Sequence, residues 1–364
     1  METLALPALS AWSGLRQRLP AAAWLEAEAR RTGAFQRPRG VPSVEALLRL
    51  ALAEGPGGLS RRQTVAWAAA AGIASLTDAA LNDRLHQAGD FLEAVVAALL
   101  AQRQAAGPAP LWPGRCLRIA DGSSLSQPGS QGTDWRLHAV YDLGRAGFSH
   151  LEITDGHGAE ALDRGPVVRG EVRIADRNYG TGPAIGRQVE AAGAVILRLR
   201  WQALRLATED GRRFDLATHL AMLPEAPAVS EVTLLVATDR GLPGLPLRLV
   251  IQRKPPAAVE AEQQRLHRGA QRRQKRLDPR SLLAAKFLVL ATTLPATECP
   301  AAEVVAAYRL RWQIELAFKR LKSLLHIDRL RARTAAGARS WLYAHLLLAL
   351  LDDDVTQDFL ESFP

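Results

Sequence analysis

The chain has 364 residues, 48% of them hydrophobic, with 46 Lys and Arg against 37 Asp and Glu, a formal net charge of +9. That length and apolar content belong to a folded chain of two or three domains and exclude a disordered one, while the basic balance favours a polyanionic partner, nucleic acid being the commonest. The two cysteines, Cys116 and Cys299, stand in no CxxC, which excludes a zinc or disulfide framework and fits a reducing cytoplasm.

The first twenty residues have no basic stretch ahead of an apolar run, so no signal peptide is expected. Residues 1–105 read as an Ala-, Leu- and Arg-rich helical domain with turns at 37–40 and 55–58. Ser60 is placed to cap a helix through Arg61, Arg62 and Trp67, and Thr77, past a turn at Gly72, to cap one bearing Leu81, Arg84 and Leu85. Asn82, Arg84, His86 and Gln87 on that second helix fit either a DNA-reading helix-turn-helix or a small bundle with no reading role.

From 111 to 201 the pattern changes to short β-type runs: Cys116–Ala120, Trp135–Leu143, Phe148–Thr154, Val172–Ala175 and Val195–Arg200, with a helix over Gly182–Ala192 between the last two. Strands followed by strand–helix–strand predict a mixed sheet with a crossover. Residues 202–283 interrupt this with a β-rich insertion, strands being expected over Thr208–Phe214, Glu231–Ala237 and Leu247–Arg253. A basic run follows, of Arg265, Arg268, Arg272, Arg273, Lys275, Arg276 and Arg280. Such a run is either a solvated linker or a phosphate contact. The core resumes over 284–345 with a strand at Ala285–Thr292 and, after Pro295 and Pro300, a helix from about Ala301 through Lys322. Trp341–Leu351 is too short to span a bilayer and reads as a core helix, leaving 346–364 as a short tail.

Two patterns carry chemistry. Leu117-Arg118-Ile119-Ala120-Asp121 recurs as Val172-Arg173-Ile174-Ala175-Asp176, two β-type runs each ending in an aspartate. Tyr308, Arg311, Glu315 and Lys322 have offsets of zero, three, seven and fourteen, which puts them within an arc of about 60° on a continuous helix. Beside them Leu310, Ile314, Phe318, Leu321 and Leu325 form an apolar stripe. The charged stripe alone is an ordinary solvated face, and Arg311–Glu315 alone an ordinary surface ion pair. Asp121, Asp176 and Glu315 together are three hard oxygen ligands that suit a pair of Mg²⁺ or Mn²⁺ ions.

The ordered set Asp121, Asp176 and Glu315, with Tyr308-x2-Arg311-x3-Glu315-x6-Lys322, resembles the DDE transposases of the insertion sequence 4 family. Asp121-Gly122-Ser123, Gly132-Thr133, Arg136-Leu137-His138 and Asp176-Arg177-Asn178-Tyr179-Gly180 fit the same family, over about residues 112 to 345. The resemblance implies an α/β fold with an RNase H-like mixed-sheet catalytic core, a β-rich insertion and an N-terminal helical domain. It implies Asp121, Asp176 and Glu315 as catalytic residues holding two Mg²⁺ or Mn²⁺ ions, and Tyr308, Arg311 and Lys322 as phosphate contacts. It implies cut-and-paste transposition, with cleavage, hairpin formation and strand transfer at the terminal inverted repeats and target DNA. The protein would act as a homodimer on double-stranded DNA in the cytoplasm, at the nucleoid. In hairpin-forming relatives a tryptophan stacks on a flipped base at an offset that Phe287 occupies here; Phe287 is read either as that platform or as core. The alternative reading is a transposase-derived DNA-binding protein that is inactive or truncated. A glycosidase with paired carboxylates explains neither the charge nor the spacing.

Overall fold

A computed structural model describes residues 12–105, 107, 111–112, 114–225, 229–237 and 244–362, the last six by backbone alone. In chain order the elements are α1 (Trp12–Arg18), α2 (Ala22–Arg31), α3 (Val44–Glu54), α4 (Arg61–Ala70), α5 (Asp78–Gln87), α6 (Gly89–Ala105), β1 (Cys116–Leu125), β2 (Trp135–Asp142), β3 (Gly147–Asp155) and β4 (Glu171–Ala175). There follow α7 (Gly182–Glu190), β5 (Ala194–Arg198), β6 (Leu206–Ala207), α8 (Leu216–Met222), β7 (Val229–Val236), β8 (Leu245–Arg253), α9 (Pro256–Arg272), α10 (Pro279–Ala285), β9 (Phe287–Thr292), α11 (Ala301–Arg309), α12 (Trp312–Ser323) and α13 (Ala335–Ser362). The fold is mixed α/β, and the chain divides into two compact units, residues 1–109, 122–158 and 314–364 in the first and 110–121 and 159–313 in the second.

The first unit holds the N-terminal helices, the β2–β3 hairpin and α13. Its helix starts follow the side chains at their caps. Ser60 accepts from the Gln63 N–H at 3.3 Å while the Gln63 side chain accepts from the Ser60 N–H at 2.9 Å, a reciprocal capping box, and Thr77 accepts from Ala80 N–H at 3.2 Å. The core is apolar helix on apolar helix: Phe91, Leu92, Val95, Val96 and Leu99 of α6 are buried, as are Leu342, Leu346, Leu347, Leu350 and Leu351 of α13, and the two helices pack together. Arg103 locks the pair, donating to the Leu350 carbonyl at 2.5 Å and to Asp354 at 2.6 Å. The boundary expected at 345/346 therefore falls inside one 28-residue helix, because the leucines after it bury against α6. No described helix is long and apolar enough to cross a membrane. In the hairpin, β2 and β3 pair antiparallel from Trp135↔Asp155 to Asp142↔Gly147.

The second unit is built on a sheet of order β1-β4-β5-β9-β8-β7-β6. The β1–β4 and β4–β5 pairs are parallel, with α7 as the crossover, and the rest are antiparallel. The β-rich insertion is thus no separate sheet: β8 pairs with β9, and β9 with β5, so its strands continue the core. The strand expected over Thr208–Phe214 is reduced to the two residues of β6 and an Ala207↔Arg213 bridge. The reason is a tight turn, in which Gly211 takes φ 81° and Thr208 N–H bonds the Arg212 carbonyl at 2.9 Å.

Candidate active site

The repeated pentapeptide folds as its pattern requires. Residues of β1 and β4 pair in parallel, Leu117↔Val172, Arg118↔Arg173, Ile119↔Ile174 and Ala120↔Ala175. Asp121 and Asp176 each follow the last pair, so two carboxylates issue from neighbouring strands, whose usual separation is about 4.8 Å. That register also forces two arginines side by side in the interior. Arg118 and Arg173 are 3% and 0% exposed, and between them lies Glu171, also 0% exposed. Glu171 Oε2 accepts from Arg118 at 3.1 Å and Oε1 from Arg173 at 2.6 Å. Arg173 also donates to the carbonyls of Leu162, Arg164 and Pro166 at 2.8, 3.1 and 3.1 Å. Such buried charges are tolerated only when every donor is met. The triad therefore holds the register that sets the aspartates together.

Asp176 opens a turn in which its Oδ1 accepts from Asn178 N–H at 2.7 Å, and the Asn178 amide donates to Glu160 at 3.0 Å. Asp121 Oδ2 receives Arg311 Nη1 at 3.2 Å. Tyr308 completes the group. Burial pushes its phenol pKa up, Arg311 and Arg198 pull it down, and Asp176 pushes it up again, so all three lie within electrostatic reach of the phenol oxygen. The second unit therefore brings together Asp121, Asp176, Tyr308 and Arg311. Two hard carboxylates beside a guanidinium fit Mg²⁺, which binds through few carboxylates and keeps several waters.

The expectation of one continuous helix through Tyr308–Lys322 is corrected. Helix α11 ends at Arg309, Leu310 and Arg311 form a turn, and α12 begins at Trp312. The bonds there are of i→i+3 type, Arg311 N–H to Tyr308 C=O at 3.1 Å and Gln313 N–H to Leu310 C=O at 3.0 Å, which tighten the backbone and reset the phase of the stripe. Glu315 and Lys322 lie in the first unit, Glu315 exposed in the first turn of α12 and Lys322 half-buried in its last. Ile314, Phe318 and Leu321 of the expected apolar stripe are buried; Leu310 and Leu325 are half-buried. Among the described residues no three His, Cys, Asp or Glu side chains form a group able to hold a metal ion.

Other sites expected from the sequence divide by their partners. Arg265, Arg268, Arg272, Arg273, Lys275 and Arg276 are all exposed, on α9 and the turn after it. Two of the run are engaged: Arg265 is paired with Glu262 at 2.6 Å, and Arg280, also exposed, is paired with Asp278 at 2.8 Å and stacked over Trp201 at 4.6 Å. Phe287 is 4% exposed, with the Arg253 guanidinium 4.7 Å from its ring centre. On α5, Arg84 donates to the carbonyls of Arg37 and Arg39 at 2.7 and 3.2 Å, and His86 meets Thr334 Oγ1 at 3.2 Å. Two of the four side chains considered for DNA reading therefore tie the unit together. Arg177, Arg198, Lys254 and Glu262, which gather around one cavity, have no sequence signal: they come from four separate segments and follow no periodicity.

The family model described as "Transposase DDE domain" matches residues 112–351. The chain is 39% identical over 358 residues to the putative transposase InsL of insertion sequence element IS186A of Escherichia coli K12, covering 97% of this chain and 96% of that protein. It is equally 39% identical over 359 residues to the transposase of insertion sequence element IS421 of Escherichia coli, with the same coverage. A cryo-EM structure of the piggyBac transposase synaptic complex with hairpin DNA aligns with a TM-score of 0.45 and 9% identity, over 95% of this chain and 73% of that one.

Proposed function

The chain belongs to the transposase DDE domain family, and from that premise we propose that it is an insertion sequence transposase of the insertion sequence 4 family, cutting and rejoining DNA at the ends of its element. The observation that supports this most directly is the placement of Asp121 and Asp176 each one residue past the last pair of the parallel β1–β4 ladder, with Arg311 on Asp121. In this reading Asp121, Asp176 and Glu315 are the catalytic carboxylates. Mg²⁺ or Mn²⁺ ions held by them would neutralise phosphate charge and make water, and then the freed 3′-OH, a competent nucleophile. Arg311 neutralises the acidic pair before DNA arrives and offers a forked donor to the scissile strand, Tyr308 donates its phenol proton to a phosphate oxygen, and Lys322 supplies a point charge. The exposed cations from Arg265 to Arg276 hold the flanking duplex. Hairpin formation fits if Phe287 is the stacking platform, which requires Arg253 to leave its ring. Double-stranded DNA, a homodimer at synapsis and a nucleoid location complete the proposal.

The test is a cleavage assay and a gel shift on one duplex carrying the element end, with Mg²⁺ and with EDTA. Glu315→Gln, which keeps shape but removes charge, is expected to bind at the parental level and not cut. Cutting at the parental rate would remove Glu315 from the site, and binding without cutting by the parent itself would favour a transposase-derived DNA-binding protein.

A further inference from the structure

A cavity of about 360 Å³ in the second unit is walled by Arg177, Arg198 and Lys254, with Trp201 and Phe287 on its apolar side, and Glu262 reaches into it. A single oxygen, Glu262 Oε1, faces three guanidinium groups: Arg265 at 2.6 Å, Arg177 at 3.4 Å and Arg198 at 3.7 Å. Lys254 adds a fourth cation within reach. Four positive charges gather around this one carboxylate, and Arg200 and Arg273 also line the cavity, in a place where cations would otherwise repel. The excess of cations bears on groups of both signs. Burial pushes the Lys254 ammonium pKa down and Arg198 pushes it further, Glu262 opposing. Burial raises the Glu262 carboxyl, but the Arg265 bond and the charges of Lys254 and Arg198 outweigh it and hold the pKa below the ordinary value. Convergent guanidinium groups on one oxygen are the geometry that binds phosphate.

The element that carries Glu262 is also unusual. Helix α9 has no buried side chain over its 17 residues. Its described polar ties include the Glu262 contacts and a bond from the Gln263 amide to the Leu282 carbonyl at 3.3 Å. Val259, Leu266 and Ala270 are half-buried on the same helix, so Glu262 leaves the cavity by turning its side chain, without withdrawing any fully buried residue of α9.

We propose that Arg177, Arg198, Lys254 and Arg265 form a binding site for one phosphodiester of a DNA strand, and that Glu262 fills it as an internal counter-ion which the phosphate displaces. The inference rests on the DNA-handling reading above and adds to it a defined phosphate position, next in sequence to Asp176, together with its competitor. Glu262 raises the threshold for backbone binding without touching the reacting phosphate.

The experiment is equilibrium binding of the full chain to a fluorescent duplex in EDTA, over a series of salt concentrations, for the parent, Glu262→Gln and Lys254→Gln. Glu262→Gln is expected to bind about threefold or more tighter at fixed salt, since it removes the competitor. Lys254→Gln is expected to bind more weakly, with a slope of log affinity against log salt smaller by about 0.9. A second arm measures the rise in melting temperature caused by inorganic pyrophosphate, expected to be larger in Glu262→Gln than in the parent and smaller in Lys254→Gln. Parental DNA binding with Glu262→Gln no tighter, and with an unchanged pyrophosphate response, would overturn the site and leave the DNA-handling reading standing. If the parent bound no duplex at any salt, that reading would fail, and an equal pyrophosphate response in all three proteins would overturn the site as well. A Glu262→Gln protein that melts lower than the parent and binds less tightly would show Glu262 to be a structural clasp, also against the proposal.

Discussion

Arg311 Nη1 lies 3.2 Å from Asp121 Oδ2, with both side chains about one-fifth exposed. The contact joins the turn between α11 and α12 to β1, across 190 residues of chain, and it sets a cation on one of two neighbouring carboxylates. An ion pair at that exposure is screened only in part, and its rupture leaves Asp121 beside Asp176 with less compensation.

Arg311→Ala should therefore lower stability in EDTA by about 1.5–3 kcal/mol, the range for a hydrogen bond to a charged group. A divalent cation binding the folded acidic pair would offset part of that loss by mass action. The expected outcome is a larger Mg²⁺-induced rise in melting temperature for Arg311→Ala than for the parent. Equal rises would mean that Arg311 and the cation do not share Asp121.

Glu171→Gln tests the support beneath the site. The substitution leaves Arg118 and Arg173 buried with less negative charge between them, and breaking a buried ion pair costs about 3–5 kcal/mol. Asp163→Asn is the comparison, because its partner Arg187 is half-exposed and the 2.6 Å pair is screened, a contact worth about 1 kcal/mol or less. Urea unfolding should separate the two variants clearly. A Glu171→Gln protein as stable as Asp163→Asn would remove the triad from the account of how the aspartates are aligned.

The parts of this arrangement legible in the sequence are those written in local pattern. The Leu117–Asp121 repeat at Val172–Asp176 has period two and ends each time in Asp, so strands, register partners and carboxylates follow together. Ser60 and Thr77 announce their helices by side-chain chemistry. The break at Leu310–Arg311 is hidden because no Gly or Pro marks it and Leu310 and Arg311 are themselves good helix formers. Helix α9 reads as a charged run because its inward face, with Val259, Leu266 and Ala270, is only half-buried and sparsely apolar, and apolar periodicity is the signal that exposes a helix. Arg84 and His86 look like free readers since sequence shows charge but not where a long side chain turns; here Arg84 turns back to two carbonyls. The Glu262 cluster joins segments whose only common property is their place around one cavity.

The exposed basic run makes a prediction in salt. Neutralising Arg268, Arg272, Lys275 and Arg276 to Gln should flatten the slope of log affinity against log salt by about 0.9 for each phosphate no longer neutralised, with little change in melting temperature because these side chains are exposed. Fluorescence anisotropy on an unrelated duplex measures this without any cleavage. A parental slope would make the run a solvated face.

His345 gives the first unit an acid limit. Its ring packs on Trp341 with centroids 3.6 Å apart and planes tilted by 35°, and its Nδ1 is 2.7 Å from the Trp341 carbonyl. Burial lowers its pKa from the ordinary 6.5 to about 3; the bond to Trp341 opposes the shift and the charge of Arg331 adds to it. The sign follows from which state takes the proton. Above about pH 6.5 both folded and unfolded imidazoles are neutral, and the group gives no pH dependence. Between about 6.5 and 3 the unfolded chain is protonated while the folded one is not, so stability falls with falling pH, by up to about 1.4 kcal/mol per unit. Below about 3 both states are protonated and the loss stops growing. His345→Gln removes this proton uptake. It should be less stable than the parent at pH 7, having lost packing on Trp341, and the gap should narrow from pH 6 to pH 4 because only the parent is destabilised through its histidine. Carboxylates titrate in both proteins and cancel in the difference. Urea midpoints at pH 7, 6, 5 and 4 measure it, and a gap that stays constant would show that His345 is protonated in the folded protein as readily as in the unfolded chain.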